Sequence, residues 1–145
     1  MKIYLDNSFL NRPFDDPSIE ANKLEGDILF SLVRLAEKGT VQVAHSSIIA
    51  YENSVNPISE RKIFVEEVMT KSTVYQNIDS DILERAAAIS HDFSIKPLDS
   101  LHIATAEAAH VDFFITCDYT LPKRYKGSLR VITPIDFLKY YENNH

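Results

Sequence analysis

The run Val111-Asp112-Phe113-Phe114-Ile115-Thr116 constrains the fold most. After its first two residues it is apolar without alternation, so both faces of this strand must be covered. Such a strand belongs inside a parallel sheet with helices above and below, and the rest of the chain supplies them. Lys2 to Leu5 reads as a buried strand ending at Asp6, Thr40 to Ala44 as the second strand, Ser72 to Tyr75 as a weak third and Leu129 to Ile132 as the fifth. Helical patterns separate them. Asp16 and Pro17 read as cap and first residue of a helix carrying Leu24, Ile28, Leu32 and Leu35 until Gly39. Ser46 or Ser47 caps a helix with Ile48, Ile49, Glu52 and Val55, and Asn56-Pro57 breaks it before another bearing Phe64, Val65, Val68 and Met69. Asp79 caps a helix striped by Ile82, Leu83, Ala86 and Ile89, Pro97 opens one that runs to His110, and Thr133-Pro134-Ile135-Asp136 starts the last. Strands alternating with helices need crossover connections, so the expected architecture is α/β: one domain over residues 1–145, a three-layer α/β/α sandwich with a central, mostly parallel sheet.

Composition removes several kinds of function. The only glycines are Gly26, Gly39 and Gly127, too far apart to write a P-loop or a dinucleotide-binding fingerprint. Cys117 is the single cysteine, which excludes an internal disulfide and a cysteine zinc cage and agrees with a reducing compartment. No apolar run approaches the roughly 20 residues of a membrane span, and Asp6 comes too early for a signal peptide, so the expected location is the cytoplasm. A net charge of −6 is awkward for a broad phosphate-gripping surface, so any nucleic-acid contact has to be local. Carboxylates gathered around a divalent cation account for such a charge, and so does a basic protein partner.

Four acids stand at unusual positions. In an open parallel sheet the ligand crevice lies outside the carboxyl ends of the strands, where Asp6 and Asp118 fall by position. Asp99 sits in the first turn of the helix opened by Pro97, and Glu52 lies within an apolar helical stripe with no Lys or Arg three or four positions away. Each has an ordinary reading as well. Asp6 serves equally as a turn former, Asp99 as a helix-end carboxylate, Asp118 as a cap for a helix near Tyr119 or Leu121, and Glu52 as a side chain reaching water. Jointly, four like charges in one crevice make sense with a hard divalent cation, and oxygen donors favour Mg²⁺ or Mn²⁺ over zinc. His102, three residues after Asp99, is placed to bond its carboxylate or touch substrate, or else is structural; His91 and His110 show no metal-ligand spacing with it. Asn7 and Thr116 flank the acids. Arg12, Lys123, Arg124 and Lys126 are candidate phosphate contacts, with a solvated surface as the ordinary alternative.

With these residues placed, the chain resembles the PIN-domain nucleases, in particular the VapC-like toxins of toxin–antitoxin pairs. The resemblance rests on Tyr4-Leu5-Asp6-Asn7-Ser8, on Ser47-Ile48-Ile49-Ala50-Tyr51-Glu52, on Asp99-Ser100-Leu101-His102-Ile103-Ala104-Thr105-Ala106 and on Thr116-Cys117-Asp118. Cys117-Asp118-Tyr119 departs from the more usual Asn-Asp-Lys. The resemblance implies a PIN-like sandwich and Mg²⁺- or Mn²⁺-dependent endonucleolytic hydrolysis of RNA, leaving a 5′-phosphate and a 3′-hydroxyl. Asp6, Glu52, Asp99 and Asp118 would be the catalytic and metal-binding acids. It also implies a homodimer and an antitoxin that covers the acidic pocket. Rival readings are a PIN-like RNA- or protein-binding module that cuts nothing, a housekeeping RNA-processing nuclease, and phosphoryl transfer through an aspartyl intermediate. The last is weakened because Asp6-Asn7-Ser8 lacks a second Asp.

Overall fold

The computed structural model describes residues 1–144. Five parallel strands form one sheet in the order β3-β2-β1-β4-β5: β1 (Lys2–Leu5), β2 (Gln42–Ser46), β3 (Val74–Gln76), β4 (Phe113–Ile115) and β5 (Arg130–Ile132). The helices are α1 (Asn7–Leu10), α2 (Glu20–Glu37), α3 (Ser47–Ser54), α4 (Ser59–Met69), α5 (Ser80–Phe93), α6 (Pro97–Ala108), α7 (Leu121–Arg124) and α8 (Pro134–Asn144). A short 3₁₀ turn spans Arg12–Phe14.

Register decides which helix each strand face meets. Tyr4 and Phe114 are opposite one another, stacked with ring centroids 5.3 Å apart, and Tyr4 meets His102 of α6 on that face. Phe113 points to the other face, against Phe137 and Tyr140 of α8, at 5.2 and 4.8 Å between centroids. The unbroken apolar run in β4 therefore fills two cores at once, and the expected three-layer arrangement is the one observed.

The strand order also locates the crevice. The chain builds β1, β2 and β3 outward in one direction, then returns to lay β4 and β5 on the other side of β1. The connections leaving β1 and β4 diverge, which opens a gap beyond their carboxyl ends.

Several local boundaries differ from the sequence expectations, each for an identifiable reason. The second helix starts at Glu20 rather than Pro17, because the Asp16 carboxylate closes a turn on Ser18, accepting from its N–H at 3.0 Å and its hydroxyl at 2.8 Å. Its buried stripe is Glu25, Gly26, Ile28, Leu29 and Leu32, and Leu24 is exposed. At Gly26 a Cβ would lie 3.4 Å from Pro13 Cα, an ordinary contact distance, so the 3₁₀ turn packs closely on α2 there. The second strand runs two residues later than expected, and Ser46 rather than Ser47 caps α3, its Oγ accepting from Ile49 N at 3.1 Å. Val55 and Leu83 are exposed despite their helical spacing. Asp79 caps α5, and Gly39 ends the second helix with φ +76°, a conformation glycine adopts without strain.

Phe114→Ala should lower the unfolding free energy by about 3–5 kcal/mol in urea melts, since a fully buried ring on both Tyr4 and the core would be lost. Leu83→Ala, on the same sequence criterion an interior position, should change it by less than about 0.5 kcal/mol because it is exposed.

Candidate active site

At the carboxyl end of β1 the chain turns directly into α1, and Asp6 is buried at that junction. Its Oδ1 accepts from Asn7 N at 2.8 Å, and its Oδ2 accepts from the hydroxyls of Ser8 at 2.9 Å and Thr116 at 2.7 Å. Those hydroxyls are bridges. Thr116 Oγ1 accepts from Asp118 N at 3.0 Å, and Ser8 Oγ accepts from Cys117 N at 3.1 Å. The turn after β4 is thereby hung from the carboxylate that ends β1. Asp118 completes the turn itself, its Oδ1 accepting from Thr120 N at 2.9 Å and Thr120 Oγ1 at 2.7 Å, which leads into α7.

Asp99 stands in the first turn of α6, as Pro97 and the Ala-rich run implied. It is half-buried and makes no hydrogen bond or ion pair with another described residue. Its pKa is pushed up to about 6, first by burial and then by the charges of Asp6 and Asp118, with Glu52 adding to the rise. The four acids singled out in the sequence thus share one electrostatic neighbourhood with no Lys or Arg paired to any of them among the described residues.

Glu52 has a partner that its own helix did not suggest. His102 Nε2 bonds its Oε1, and the other ring nitrogen, Nδ1, bonds the Tyr4 hydroxyl at 2.7 Å. With both nitrogens engaged, His102 has none left for the Asp99 carboxylate; of the roles its spacing allowed, the bond to Asp99 gives way to a cross-element pair. The ring is buried.

The remaining candidates separate clearly. The Asn7 side chain bonds Asn11, so its backbone N–H is what serves Asp6. Arg12 is held by Asp15 at 2.9 Å and by Glu25 at 3.1 Å, the latter a charge contact without hydrogen-bond alignment. Arg124 donates to Ser94 O at 2.8 Å, while Lys123 and Lys126 are exposed and unpaired among the described residues. Glu25 went unnoticed in the sequence. Fully buried on α2, it accepts from the Tyr119 hydroxyl at 2.8 Å as well as facing Arg12, and burial beside it pushes the Cys117 thiol up to about 12. Of the departures from the pattern the resemblance rests on, Cys117 feels the charge of this buried carboxylate and Tyr119 bonds it, which ties the Asp118 turn to α2. Its signal was a Glu among Ile28, Leu29 and Leu32 on one helix face. Ser8 was also missed; a hydroxyl two residues after a strand-end Asp is its signal.

Among the described residues, no group of three or more His, Cys, Asp or Glu side chains stands close enough together to hold a metal ion. Asp6, Glu52 and Asp118 are each turned to their own donors. The donor set is nonetheless all oxygen, and the charge at Asp99 is uncompensated, which fits a hard divalent cation whose remaining positions are filled by water or phosphate oxygens.

Comparison with known proteins gives a consistent picture. Residues 3–127 match the family described as PIN domain. No curated protein sequence matches. Among solved structures, a chain of the VapBC2 assembly from Rickettsia felis, crystallised with a DNA fragment from their promoter, superposes with a TM-score of 0.57 at 14% identity. The match covers 92% of this chain and 98% of that one, and at this identity it is a likeness of fold.

Because the folded protein holds a proton at Asp99 more tightly than the unfolded chain does, its ionisation costs stability at neutral pH, and this cost disappears as pH falls from about 6 towards 4. Asp99→Asn should therefore raise the metal-free Tm at pH 7.5 by about 2–4 °C, allowing for the screening of a half-exposed group. In thermal melts the gain should shrink towards zero at pH 4.5.

Proposed function

Because the chain belongs to the PIN domain family, we propose that it is a Mg²⁺- or Mn²⁺-dependent endoribonuclease and the toxin of a toxin–antitoxin pair. One observation carries the reading most: Asp99 is a half-buried carboxylate without a hydrogen-bond or ion-pair partner among the described residues, set among three further acids whose charge raises its pKa. A structural carboxylate finds a donor or faces water, and this one is kept in a negative crevice.

Asp6 and Asp99 would hold the ion, with Glu52 and Asp118 completing the pocket directly or through water. When bound, the ion supplies Lewis-acid stabilisation of the phosphodiester and acidifies an attacking water. The chain's own residues do the positioning. Ser8 and Thr116 hold Asp6 by two hydroxyl donors, and Thr116 couples it to the Asp118 turn. His102 orients Glu52. Tyr119 and Glu25 fix the far side of the turn. Lys123 and Lys126, exposed on and just after the helix that follows Asp118, are the free cations that would meet flanking phosphates; Arg12 is committed to Asp15 and Glu25. Two such contacts on a chain of net charge −6 imply weak binding with only a shallow dependence on salt, because the slope scales with the number of phosphates neutralised.

The likeness to a VapBC chain supports an antitoxin partner that covers the pocket, and the family resemblance supports a homodimer. No helix among the described residues is long and apolar enough to cross a membrane, and a single cysteine suits the cytoplasm, the location proposed for this single-domain chain.

Purified protein incubated with a pool of structured and single-stranded RNAs should cut with Mg²⁺ or Mn²⁺ and stop with EDTA. Asp6→Asn and Asp99→Asn should each slow cutting about 100-fold or more while remaining folded. Absence of cleavage by a folded wild type under both metals would favour a non-cleaving binding module, the one reading that the lack, among the described residues, of three His, Cys, Asp or Glu side chains close enough to hold a metal ion also suits.

A further inference from the structure

Three buried groups and the partly exposed Glu52, from four elements, form a continuous side-chain chain that ends in the crevice. Ser46 Oγ lies 2.8 Å from the Tyr4 hydroxyl, that hydroxyl lies 2.7 Å from His102 Nδ1, and His102 Nε2 bonds Glu52 Oε1. Ser46, Tyr4 and His102 are essentially inaccessible to solvent. Ser46 makes one other bond, accepting from Ile49 N at 3.1 Å as the cap of α3. The members come from β1, the end of β2, α3 and α6, so the chain also ties the sheet to both helices that carry crevice acids.

Counting protons fixes its direction. Each hydroxyl has one proton to give, a neutral imidazole has one, and an ionised carboxylate has none. If the His102 ring carried a proton on both nitrogens, Nδ1–H would donate to Tyr4, Tyr4 would donate to Ser46, and the fully buried Ser46 hydroxyl proton would have no acceptor. The same orphan results if Glu52 were protonated and donating to Nε2, because the ring would again carry its proton on Nδ1. A ring with its proton on Nδ1 beside an ionised Glu52 would set two acceptors against each other. Only one direction leaves every buried donor of the chain paired: Ser46 donates to Tyr4, Tyr4 donates to His102 Nδ1, and a neutral His102 donates Nε2–H to Glu52 Oε1. A buried unpaired donor costs about 1–3 kcal/mol, enough to select this arrangement over the others.

We infer that Ser46, Tyr4 and His102 form a one-directional hydrogen-bond chain that holds Glu52 as an oriented carboxylate. His102, in its neutral Nε2–H form, is then a positioning residue for the crevice. Glu52 Oε2 has no bond to the described residues and is left for a ligand. The positioning role rests on the metal-dependent reading above; the direction of the chain does not. Its chemistry explains why a histidine suits this place: it must donate at one end and accept at the other while staying neutral. A glutamine offers the same polarity through its amide, and a leucine offers neither end.

Two experiments decide the matter. Nitrogen-15 spectra of metal-free, histidine-labelled protein at pH 7, with His102 assigned by the signal lost in His102→Gln, should show a protonated Nε2 and a hydrogen-bonded, unprotonated Nδ1. A proton on Nδ1, or on both nitrogens, overturns the assignment. Mn²⁺ affinity, measured by calorimetry on variants checked for folding, should fall about ten- to a hundredfold in His102→Leu and stay within about threefold of wild type in His102→Gln. Equal losses in both variants, or no loss in His102→Leu, overturn the positioning role. If His102→Leu does not fold, Tyr4→Phe keeps the ring volume and carries the decision: affinity should drop about threefold or more, and an unchanged affinity overturns the role. A wild type that binds no Mn²⁺ removes the metal reading and the positioning role with it, while the ring's proton still decides the direction of the chain.

Discussion

The Asp6 carboxylate is the point from which the crevice is assembled. One of its oxygens receives two hydroxyl protons, from Ser8 on its own turn and from Thr116 at the end of the neighbouring strand. Each of those hydroxyls in turn receives a backbone N–H from the segment after β4. A buried carboxylate is expensive unless its lone pairs are filled, and here the donors that fill them are the groups that join β1 to β4. The interaction that makes Asp6 tolerable is thus the one that sets where Asp118 stands.

The same economy of groups recurs around the crevice. Glu52 is held at one oxygen by a histidine from α6, and Glu25, fully buried on α2, accepts from Tyr119 at one oxygen and faces the Arg12 charge with the other. Three acids from three elements are each held by side chains from another element, so the framework is rigid in the parts that surround Asp99. Asp99 is the exception. No hydrogen bond or ion pair from the described residues satisfies it, its ionisation is opposed by its surroundings, and the folded state carries that cost locally. Such a conflict between stability and a local charge is the usual mark of a functional position.

Much of the fold was legible because its signals are local. The unbroken apolar run of β4, the capping residues Asp79 and Thr133, the helix-opening Pro97 and the stop at Gly39 each act within a few residues, and each appears where its chemistry required. Periodicity was weaker where a helix has two partly covered sides. Val55, Leu83 and Leu24 keep the right spacing yet face solvent, because spacing marks a face and only packing decides how wide the buried face is. Asp16 shows the converse: a capping residue beside a proline was drawn into a turn with Ser18, and the helix began later.

For the crevice, the sequence by itself determined which acids were candidates and that they belong to strand ends, a helix start and an apolar helical stripe, since residue type and spacing follow from local chemistry. It also determined that no cysteine cage and no glycine-rich phosphate loop was available. Only the tertiary structure decided the pairing. His102 lies three residues from Asp99 in the chain but bonds Glu52, and Tyr119, next to Asp118, bonds Glu25 on a distant helix. Hydrogen-bond partners depend on which faces meet after the sheet has twisted and the helices have packed. A separation of 50 residues between Glu52 and His102, or 94 between Glu25 and Tyr119, leaves no trace that spacing can reveal.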